Sequence, residues 1–310
     1  MGELELIEYI RGLASGHAPE WLQVGIGDDA AVIALPSGDS IVLTTDMLVE
    51  GTHFEPGTPP RAIGRKAVAR ALSDIAALAA RPLCVVAAVC FNKECNREFQ
   101  RRICKAVWEA SLQFAAPLVG GDVSEGEGPL SLTVTAVGLP GPKGVVTRAG
   151  AQAGDAVCVT GTLGGSLRGR HLSFTPRIAE ALDLAERFEL HAMIDVSDGL
   201  STDALHIAQA SGRGITLKAE AIPVSEDALA LSREGEGHED PLRHALNDGE
   251  DYELVFCLPQ RDAKAAAASG VLGTLVSIIG AVTSEKDSFI VRPGGAREPL
   301  RGGGWEHLTG

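Results

Sequence analysis

Apolar residues along the first half of the chain alternate between strand-like and helix-like spacing. Strands are predicted by IVLTTD from Ile41, VVAAVCF from Val85 and LSLTVTAVGL from Leu130. Between them, apolar positions at helical spacing predict helices over about 61–80 and 97–115. Strands and helices that alternate in this way predict a mixed α/β domain.

The second half repeats the alternation. VCVTG from Val157, GITLKAE, YELVFCLP and VSIIGAV predict strands, and AMIDVSDGL runs from a strand into a helix that reaches Ser211. Between the two halves, GPKGVVTRAGAQAGD is polar and rich in turn residues, which indicates a domain boundary. We therefore predict an N-terminal domain over 1–140 and a C-terminal domain over 150–310.

Composition places the chain among globular proteins. Its 310 residues are 45% hydrophobic and 22% charged, and the net charge is -14. No run approaches the roughly 18 apolar residues of a membrane span, and the acidic, amphipathic start is unlike a signal peptide, so we expect a cytoplasmic protein. The acidic balance disfavours nucleic acid and anionic membranes as partners. The six cysteines include no C-x-x-C pair and are interpreted as reduced packing residues.

Aspartates in apolar or glycine-rich settings are the main chemical signal. Burying carboxylates near one another is costly unless cations compensate them. Oxygen ligands of this kind suit Mg²⁺, which commonly recruits substrate phosphates as further ligands. The pattern therefore predicts a magnesium-phosphate enzyme. The aspartates are Asp28, Asp29, Asp46, Asp74, Asp122, Asp195 and Asp198.

Several of these acids are predicted at the carboxyl ends of strands, where open α/β sheets bind ligands. The run Thr44, Thr45, Asp46 offers two hydroxyls and a carboxylate at such an end, and alternation places Thr44 and Asp46 on one face unless the chain bends there. Asp195 and Asp122 are expected at similar ends. His53 follows on a Gly-Thr turn, either facing the same pocket or making a structural hydrogen bond.

Each acid also has an ordinary structural interpretation. Asp28 and Asp29 follow glycines and could cap a turn. In IDVSDGL, an N-cap role at the start of the following helix would explain one of the two acids but not both. On the predicted helix, Lys66, Arg70 and Asp74 form a stripe at i, i+4, i+8 spacing. A surface salt bridge is one explanation of that stripe. We favour the interpretation in which Asp74 points into a binding site, because the apolar segment IAALAA that follows it leaves the helix little polar surface.

The familiar nucleotide-binding and hydrolase motifs are absent. The chain has no G-x-x-x-x-G-K-[ST], no kinase H-R-D or D-F-G, no G-x-S-x-G and no H-E-x-x-H. A nucleotide would therefore need a phosphate-binding segment of a different kind. Gly120 and Gly121 ahead of Asp122 could let backbone amides approach a phosphate, although GGD is also common in turns. Arg148 is a candidate phosphate clamp or an exposed loop residue.

Nine segments in order resemble the thiamine-monophosphate kinases, members of the aminoimidazole ribonucleotide synthetase superfamily. The segments are GIGDDAAVI, TTDMLVEGTHF, GRKAVARALSDIAALAARP, GGD, TRAGAQAGD, VTGTLGGS, IDVSDGLSTDALHI, GEDYELVF and the terminal GWEHL. The resemblance implies the superfamily's two-domain α/β fold, with an N-terminal sheet that forms the interface of a homodimer. It also implies direct in-line transfer of the γ-phosphoryl group of ATP to thiamine monophosphate, assisted by several Mg²⁺ ions, as the last step of thiamine diphosphate biosynthesis.

The resemblance also assigns residues. Asp28 becomes a supporting turn residue. The implied substrate residues are His53, Glu250 and Trp305. The implied ATP residues are Gly121, Asp122, Arg148 and Ser197. The implied metal ligands are Asp29, Thr44, Thr45, Asp46, Asp74, Asp122, Asp195 and Asp198.

Other functions on the same scaffold remain alternatives. Selenophosphate synthetases and hydrogenase-maturation factors carry a reactive Cys or Lys near the N-terminus or a C-terminal Cys, which this chain lacks: its first cysteine is Cys84 and it ends in WEHLTG. A non-catalytic nucleotide-binding protein would not need all the acidic positions. The chain departs from the family in the loops at 165–176 and 232–249, on the substrate side.

Overall fold

The computed structural model describes residues 2–16, 18–234 and 240–304. Its first sheet has six strands in the order β1-β2-β3-β6-β4-β5, antiparallel except for the parallel pair β4 and β5. The strands are β1 Leu22–Val24, β2 Ala31–Ala34, β3 Ser40–Val49, β4 Ala80–Asn92, β5 Leu118–Gly126 and β6 Ser131–Pro140.

Two helices, α2 Pro60–Ala77 and α3 Arg97–Gln113, cover one face of this sheet. Helix α1 Glu3–Ser15 precedes the first strand and is largely exposed. Pro60 is tolerated at the first position of α2, because a backbone N–H at that position would have no partner within the helix. The Asn96 side chain caps α3 by accepting a hydrogen bond from the Phe99 N–H. Apolar side chains of α2 and α3, such as Leu72 and Ile103, form one core with the inner face of the sheet. The other face carries no helix in the described part of the chain.

The second sheet contains seven strands in the order β13-β12-β9-β11-β7-β10-β8, antiparallel except for β12 and β9. The strands are β7 Ala156–Thr160, β8 Ala192–Asp195, β9 Gly214–Lys218, β10 Leu254–Leu258, β11 Val276–Thr283, β12 Phe289–Val291 and β13 Arg297–Pro299. The helices around it are α4 Ile178–Arg187, α5 Leu200–Ser211, α6 Glu226–Glu234, α7 Pro241–Asn247 and α8 Gln260–Ser269.

Helix α2 joins the two halves. It packs on β3 and β6 of the first sheet and also on β8 and α4 of the second half. The first sheet ends at Pro140 and the second begins at Ala156. We keep the proposed division into 1–140 and 150–310, which these ends support. Among the described helices, none combines the length and apolarity that crossing a membrane requires.

Two expectations about strand ends were wrong. β3 does not end at Asp46 but continues to Val49, because its pairing with β6 runs unbroken through Thr45, Asp46 and Met47. Asp122 lies inside β5 rather than at the carboxyl end of a strand, since Gly121 and Asp122 pair with β4 and the strand continues to Gly126. The carboxyl-end rule concerns open sheets of parallel strands, and the first sheet is mostly antiparallel. Only Asp195 ends its strand as expected.

Candidate active site

A cavity of about 300 Å³ lies where β3 and α2 meet the loops of the second half. Most of the carboxylates singled out in the sequence line it, together with the candidate arginine and histidine. The lining residues are Asp28, Asp29, Thr44, Thr45, Asp46, Thr52, His53, Arg70, Asp74, Arg148, Leu167, Asp195, Ser197, Asp198, Asp248, Glu250 and Tyr252.

Three carboxylates converge in this cavity from distant parts of the chain. Asp29 precedes β2, Asp74 lies on α2 and Asp195 ends β8, and each has an oxygen within 4.8 Å of the others. Thr44 Oγ1 donates to Asp74 Oδ2 at 2.6 Å, and Ser73 Oγ donates to Asp195 Oδ2 at 2.5 Å. Asp29 Oδ2 and Asp195 Oδ1 are buried without a hydrogen-bond partner. Buried oxygens of this kind fit cation coordination.

The electrostatics of this three-carboxylate group also fit a cation. Burial and the neighbouring charge of Asp195 raise the pKa of Asp74 well above its usual value. Burial and the charge of Asp29 raise the pKa of Asp195 to about 7. The one cation that directly contacts the group among the described residues is Arg148, whose Nη2 lies 2.5 Å from Asp29 Oδ1. One guanidinium cannot balance three carboxylates, so the residues fit Mg²⁺.

A second group of potential ligands starts helix α5. Asp198, Asp203 and His206 bring ligand atoms within 4.8 Å of one another. Asp203 is 1% exposed, and its Oδ1 has no hydrogen-bond partner while Oδ2 accepts from the Gly199 N–H. The implied ligand Asp198 thus lies with this group. Asp203 was missed, although its spacing to His206 in STDALHI places both on one helix face.

Asp46 forms an ion pair with Arg70, and both side chains line the cavity. Arg70 Nε lies 2.9 Å from Asp46 Oδ2, and Arg70 Nη1 donates to the Met47 carbonyl. The Lys66, Arg70, Asp74 stripe therefore does not form a surface salt bridge, and Asp74 points into the site. Arg70 was not predicted as a site residue, although the stripe was the signal that could have found it.

Asp28 supports the site instead of joining the carboxylate group. Its Oδ1 accepts from the Asp29 N–H at 3.0 Å and its Oδ2 accepts from the Arg148 N–H at 3.1 Å. Burial and the charge of Asp29 raise its pKa to about 6. These bonds tie the turn before β2 to the segment that leads into the second half. Arg148 is 21% exposed and held in the cavity, not in an exposed loop.

Two of the implied substrate residues, His53 and Glu250, also line the cavity. His53 Nδ1 accepts from the Val49 N–H at 3.0 Å, which leaves the hydrogen of a neutral ring on Nε2. Glu250 contacts Lys66, and Tyr252 stacks on Phe174 with ring centroids 3.9 Å apart. The sequence did not single out Tyr252 or three further lining residues, which are Thr52, Leu167 and Asp248.

Trp305 lies outside the described residues. The last described residue, Gly304, donates its N–H to Thr202 Oγ1 at 3.3 Å, at the first turn of α5. Gly304 therefore lies beside the start of α5 and next to the backbone of the cavity residue Asp198. Its assignment to the substrate stays a prediction.

Gly121 and Asp122 do not line this cavity. In the first sheet, Gly121 pairs with Ala87 and Asp122 with Ala88, and strands β4 and β6 separate both from β3. Pairing across the four strands places Asp122 in one row with Ala88, Thr133 and Met47, whose side chains share one face of the sheet. Because Asp46 is the neighbour of Met47 on β3, its side chain points to the other face, so Asp122 lies on the face opposite Asp46. Three strand spacings place it on the order of 14 Å away from β3. Within one chain, Asp122 does not join the three-carboxylate group.

Thr45 has an intermediate position. It lines the cavity, but its Oγ1 lies 3.0 Å from Thr135 Oγ1 on the neighbouring strand β6. Thr44, one residue earlier, points to Asp74 as the strand alternation predicts. The structure therefore brings the Thr44 hydroxyl to the carboxylates and places the Thr45 hydroxyl on the opposite face.

Comparison with known proteins identifies the family. Residues 27–139 match the N-terminal domain of the AIR synthase related proteins, and residues 159–292 match the C-terminal domain. The chain is 38% identical to the thiamine-monophosphate kinase of Rhodopirellula baltica over 84% of this chain and 83% of that one. The chain belongs to the thiamine-monophosphate kinase family. The Escherichia coli K12 member of the family is 33% identical over 93% of both chains.

Solved structures show the same fold. AaThiL complexed with AMPPCP and TMP superposes with a TM-score of 0.84 at 29% identity, covering 99% of this chain and 97% of that one. The thiamine-monophosphate kinase of Stenotrophomonas maltophilia gives 0.72 at 33% identity over 93% and 96%. Hydrogenase maturation protein HypE in complex with ATP gives 0.70 at 21% identity over 94% of both chains, which shows the fold alone. The predicted two-domain α/β fold of the family is confirmed.

Proposed function

We propose that this chain transfers the γ-phosphoryl group of ATP to the phosphate of thiamine monophosphate and forms thiamine diphosphate. The observation that carries the proposal is the three-carboxylate group of Asp29, Asp74 and Asp195, whose charge is not balanced by the protein. It faces the same cavity as the implied substrate residues His53 and Glu250. Metal-bound phosphates and an organic acceptor together would fill such a site.

The reaction needs no strong base. A phosphate monoester has a second pKa of about 6, so most of the acceptor is already a nucleophilic dianion at neutral pH. The reaction therefore depends on positioning and charge neutralisation. Arg148 and Ser197 lie where they can contact ATP phosphates, and His53 and Glu250 can hold the thiamine part. Bound at the three-carboxylate group, with Asp46 and Asp198 nearby, Mg²⁺ would neutralise and orient phosphate oxygens.

We also propose that the protein acts as a homodimer through the open face of the first sheet. Met47 is 54% exposed on this face, where its row includes Thr133, Ala88 and Asp122. A sheet face that has no covering layer and exposes a large apolar side chain such as Met47 is typical of an interface. Because Asp122 cannot reach the three-carboxylate group of its own chain, we propose that Gly121 and Asp122 serve the site of the other subunit.

The test of the proposed function is product formation. Purified protein with ATP, MgCl₂ and thiamine monophosphate should give thiamine diphosphate, separated by chromatography. Thiamine without its phosphate lacks the dianion that attacks, so it should give no product. Selenide in place of thiamine monophosphate tests the selenophosphate synthetase alternative, and no selenophosphate is expected. The cytoplasmic location stays a prediction.

Magnesium should stabilise the protein more at pH 8 than at pH 6. Without metal, the raised pKa of Asp195, about 7, means that the folded protein keeps a proton which the unfolded chain loses near pH 4. Stability of the metal-free protein therefore falls as pH rises towards 7. Because Mg²⁺ replaces this proton, the rise in Tm with MgCl₂ should be larger at pH 8 by about 2 °C or more.

Differential scanning fluorimetry measures this difference, with NaCl at matched ionic strength as the control. An equal rise in Tm at both pH values, or a larger rise at pH 6, would contradict cation binding at the three-carboxylate group.

A further inference from the structure

The side chain of Lys66 on α2 is fully buried, at 0% exposed. A buried ammonium is costly unless its hydrogens and its charge are compensated. Three atoms surround its Nζ: the His53 carbonyl oxygen at 2.6 Å, His171 Nδ1 at 2.7 Å and Glu250 Oε2 at 2.6 Å. The His53 carbonyl and Glu250 Oε2 each accept one of the three hydrogens of the ammonium, and His171 Nδ1 lies within hydrogen-bond distance of both Lys66 Nζ and Glu250 Oε2.

The three partners come from separate segments. His53 lies on the turn after β3, His171 belongs to the short 3-10 turn Arg170–Leu172, and Glu250 lies in the loop before β10. Lys66 itself belongs to the helix that packs on both halves of the chain. One buried side chain thus fixes the turn of the first half against two segments of the second half.

Glu250 is held in an unusual conformation. Its φ is 53°, and that of Tyr252 is 52°, in the left-handed region that residues other than glycine rarely adopt. Such a conformation persists only when the surroundings enforce it. The Glu250 N–H donates to the Ser197 carbonyl at 2.7 Å, and the carboxylate is fixed by Lys66 and His171.

The two carboxylate oxygens of Glu250 differ in their surroundings. Oε2 is 2.6 Å from Lys66 Nζ and 3.0 Å from His171 Nδ1, whereas Oε1 has the Tyr252 hydroxyl at 3.4 Å. Burial alone would raise the pKa of Glu250, but His171 and Lys66 lower it to about 2, so the carboxylate stays ionised. Oε1 is therefore the oxygen that can accept a hydrogen bond from a ligand in the cavity.

We propose that Lys66, together with His171, is a positioning residue for the acceptor substrate. It holds Glu250 Oε2 and the His53 carbonyl, so that Glu250 Oε1 and the His53 ring keep a fixed spacing across the two halves of the chain. The matching ligand has a hydrogen-bond donor, such as the amino group of an aminopyrimidine, beside a cationic ring. Thiamine monophosphate has both, so this inference rests on the proposed function and assigns its recognition to Glu250 Oε1.

Lys66 acts through these residues rather than on the reacting phosphates. It does not line the cavity formed by the described residues, whereas Glu250 and His53 do. Loss of Lys66 should therefore weaken binding of thiamine monophosphate and leave binding of ATP unchanged. A merely structural role would instead lower Tm and affect both ligands alike.

The test is Lys66→Met, which keeps an unbranched side chain of similar length and removes the charge. Calorimetry should show thiamine monophosphate binding at least about tenfold weaker than in the wild type, because truncating one partner of a buried charge pair commonly costs more than one decade of affinity. KM for thiamine monophosphate should rise by the same factor, with KM for ATP within about twofold of the wild-type value. Lys105→Met is the matched control, since Lys105 is exposed on α3 beside Glu109.

A second variant covers the case in which Lys66→Met does not fold. His171→Asn removes the ring that contacts both Lys66 and Glu250, and it should raise KM for thiamine monophosphate with KM for ATP unchanged. Wild-type affinity for thiamine monophosphate in either folded variant overturns the inference while the proposed function stands. A wild-type protein that neither binds nor phosphorylates thiamine monophosphate overturns the proposed function itself.

Discussion

Asp74→Asn is expected to lower kcat at least about a hundredfold while leaving Tm unchanged or higher in the absence of metal. Asparagine has the same shape, and its carbonyl can still accept the hydrogen bond from Thr44 Oγ1. The substitution removes one of three crowded carboxylates, so it relieves the repulsion that raises the pKa of Asp74. It also removes a charge that the cation needs. Steady-state kinetics and thermal unfolding measure the two effects.

Opposite changes in activity and stability separate a metal ligand from a structural residue. If Asp74 were only a packing residue, lost activity would follow a lowered Tm. Asp287→Asn is the control, because Asp287 is exposed in the turn between β11 and β12. Wild-type kcat in Asp74→Asn at saturating MgCl₂ would contradict the assignment of the three-carboxylate group.

Two inactive variants should restore activity when they share a dimer. Asp46→Asn and Asp122→Asn are each expected to be nearly inactive as homodimers. If Asp122 serves the other subunit, a dimer of one chain of each kind contains one site with both aspartates intact. Random mixing makes half of the dimers mixed, so coexpression should recover about a quarter of wild-type activity.

The pair Asp46→Asn and Asp74→Asn is the matched control for this experiment, because both residues line the same cavity of one chain. Every mixed dimer of that pair carries a substitution in each site, so no recovery is expected. Native mass spectrometry verifies that mixed dimers form. Mixed dimers of Asp46→Asn and Asp122→Asn that stay inactive would contradict the exchange of Asp122 between subunits.

The sequence indicates which carboxylates converge in the site, but it does not indicate the long-range contacts of the buried lysine Lys66. Asp29 precedes an apolar run, Asp74 interrupts one and Asp195 follows one, and this setting indicates burial that a cation must compensate. Lys66 stands in the same stripe as Asp74, but nothing in its spacing shows that two of its three partners lie 105 and 184 residues away. Such contacts depend on the packing of two domains, which periodicity does not encode.

Strand order was the other feature that the sequence could not provide. GGD was singled out as a possible approach for a phosphate, yet its position depends on β5 pairing with β4 at the sheet edge. Moving the register by one residue would transfer Asp122 to the other face. Asp46 was similarly placed at a strand end because the polar residues Thr44 and Thr45 precede it, although the strand continues through Met47 to Val49.

The most direct test follows the phosphoryl group itself. The protein is incubated with ATP labelled in the γ-phosphate, MgCl₂ and thiamine monophosphate, and the products are separated. We expect the label to appear in thiamine diphosphate in proportion to the ADP formed, and we expect chelation of Mg²⁺ to abolish both products. Label that appears only as free phosphate, with no labelled thiamine diphosphate, would contradict direct transfer to thiamine monophosphate.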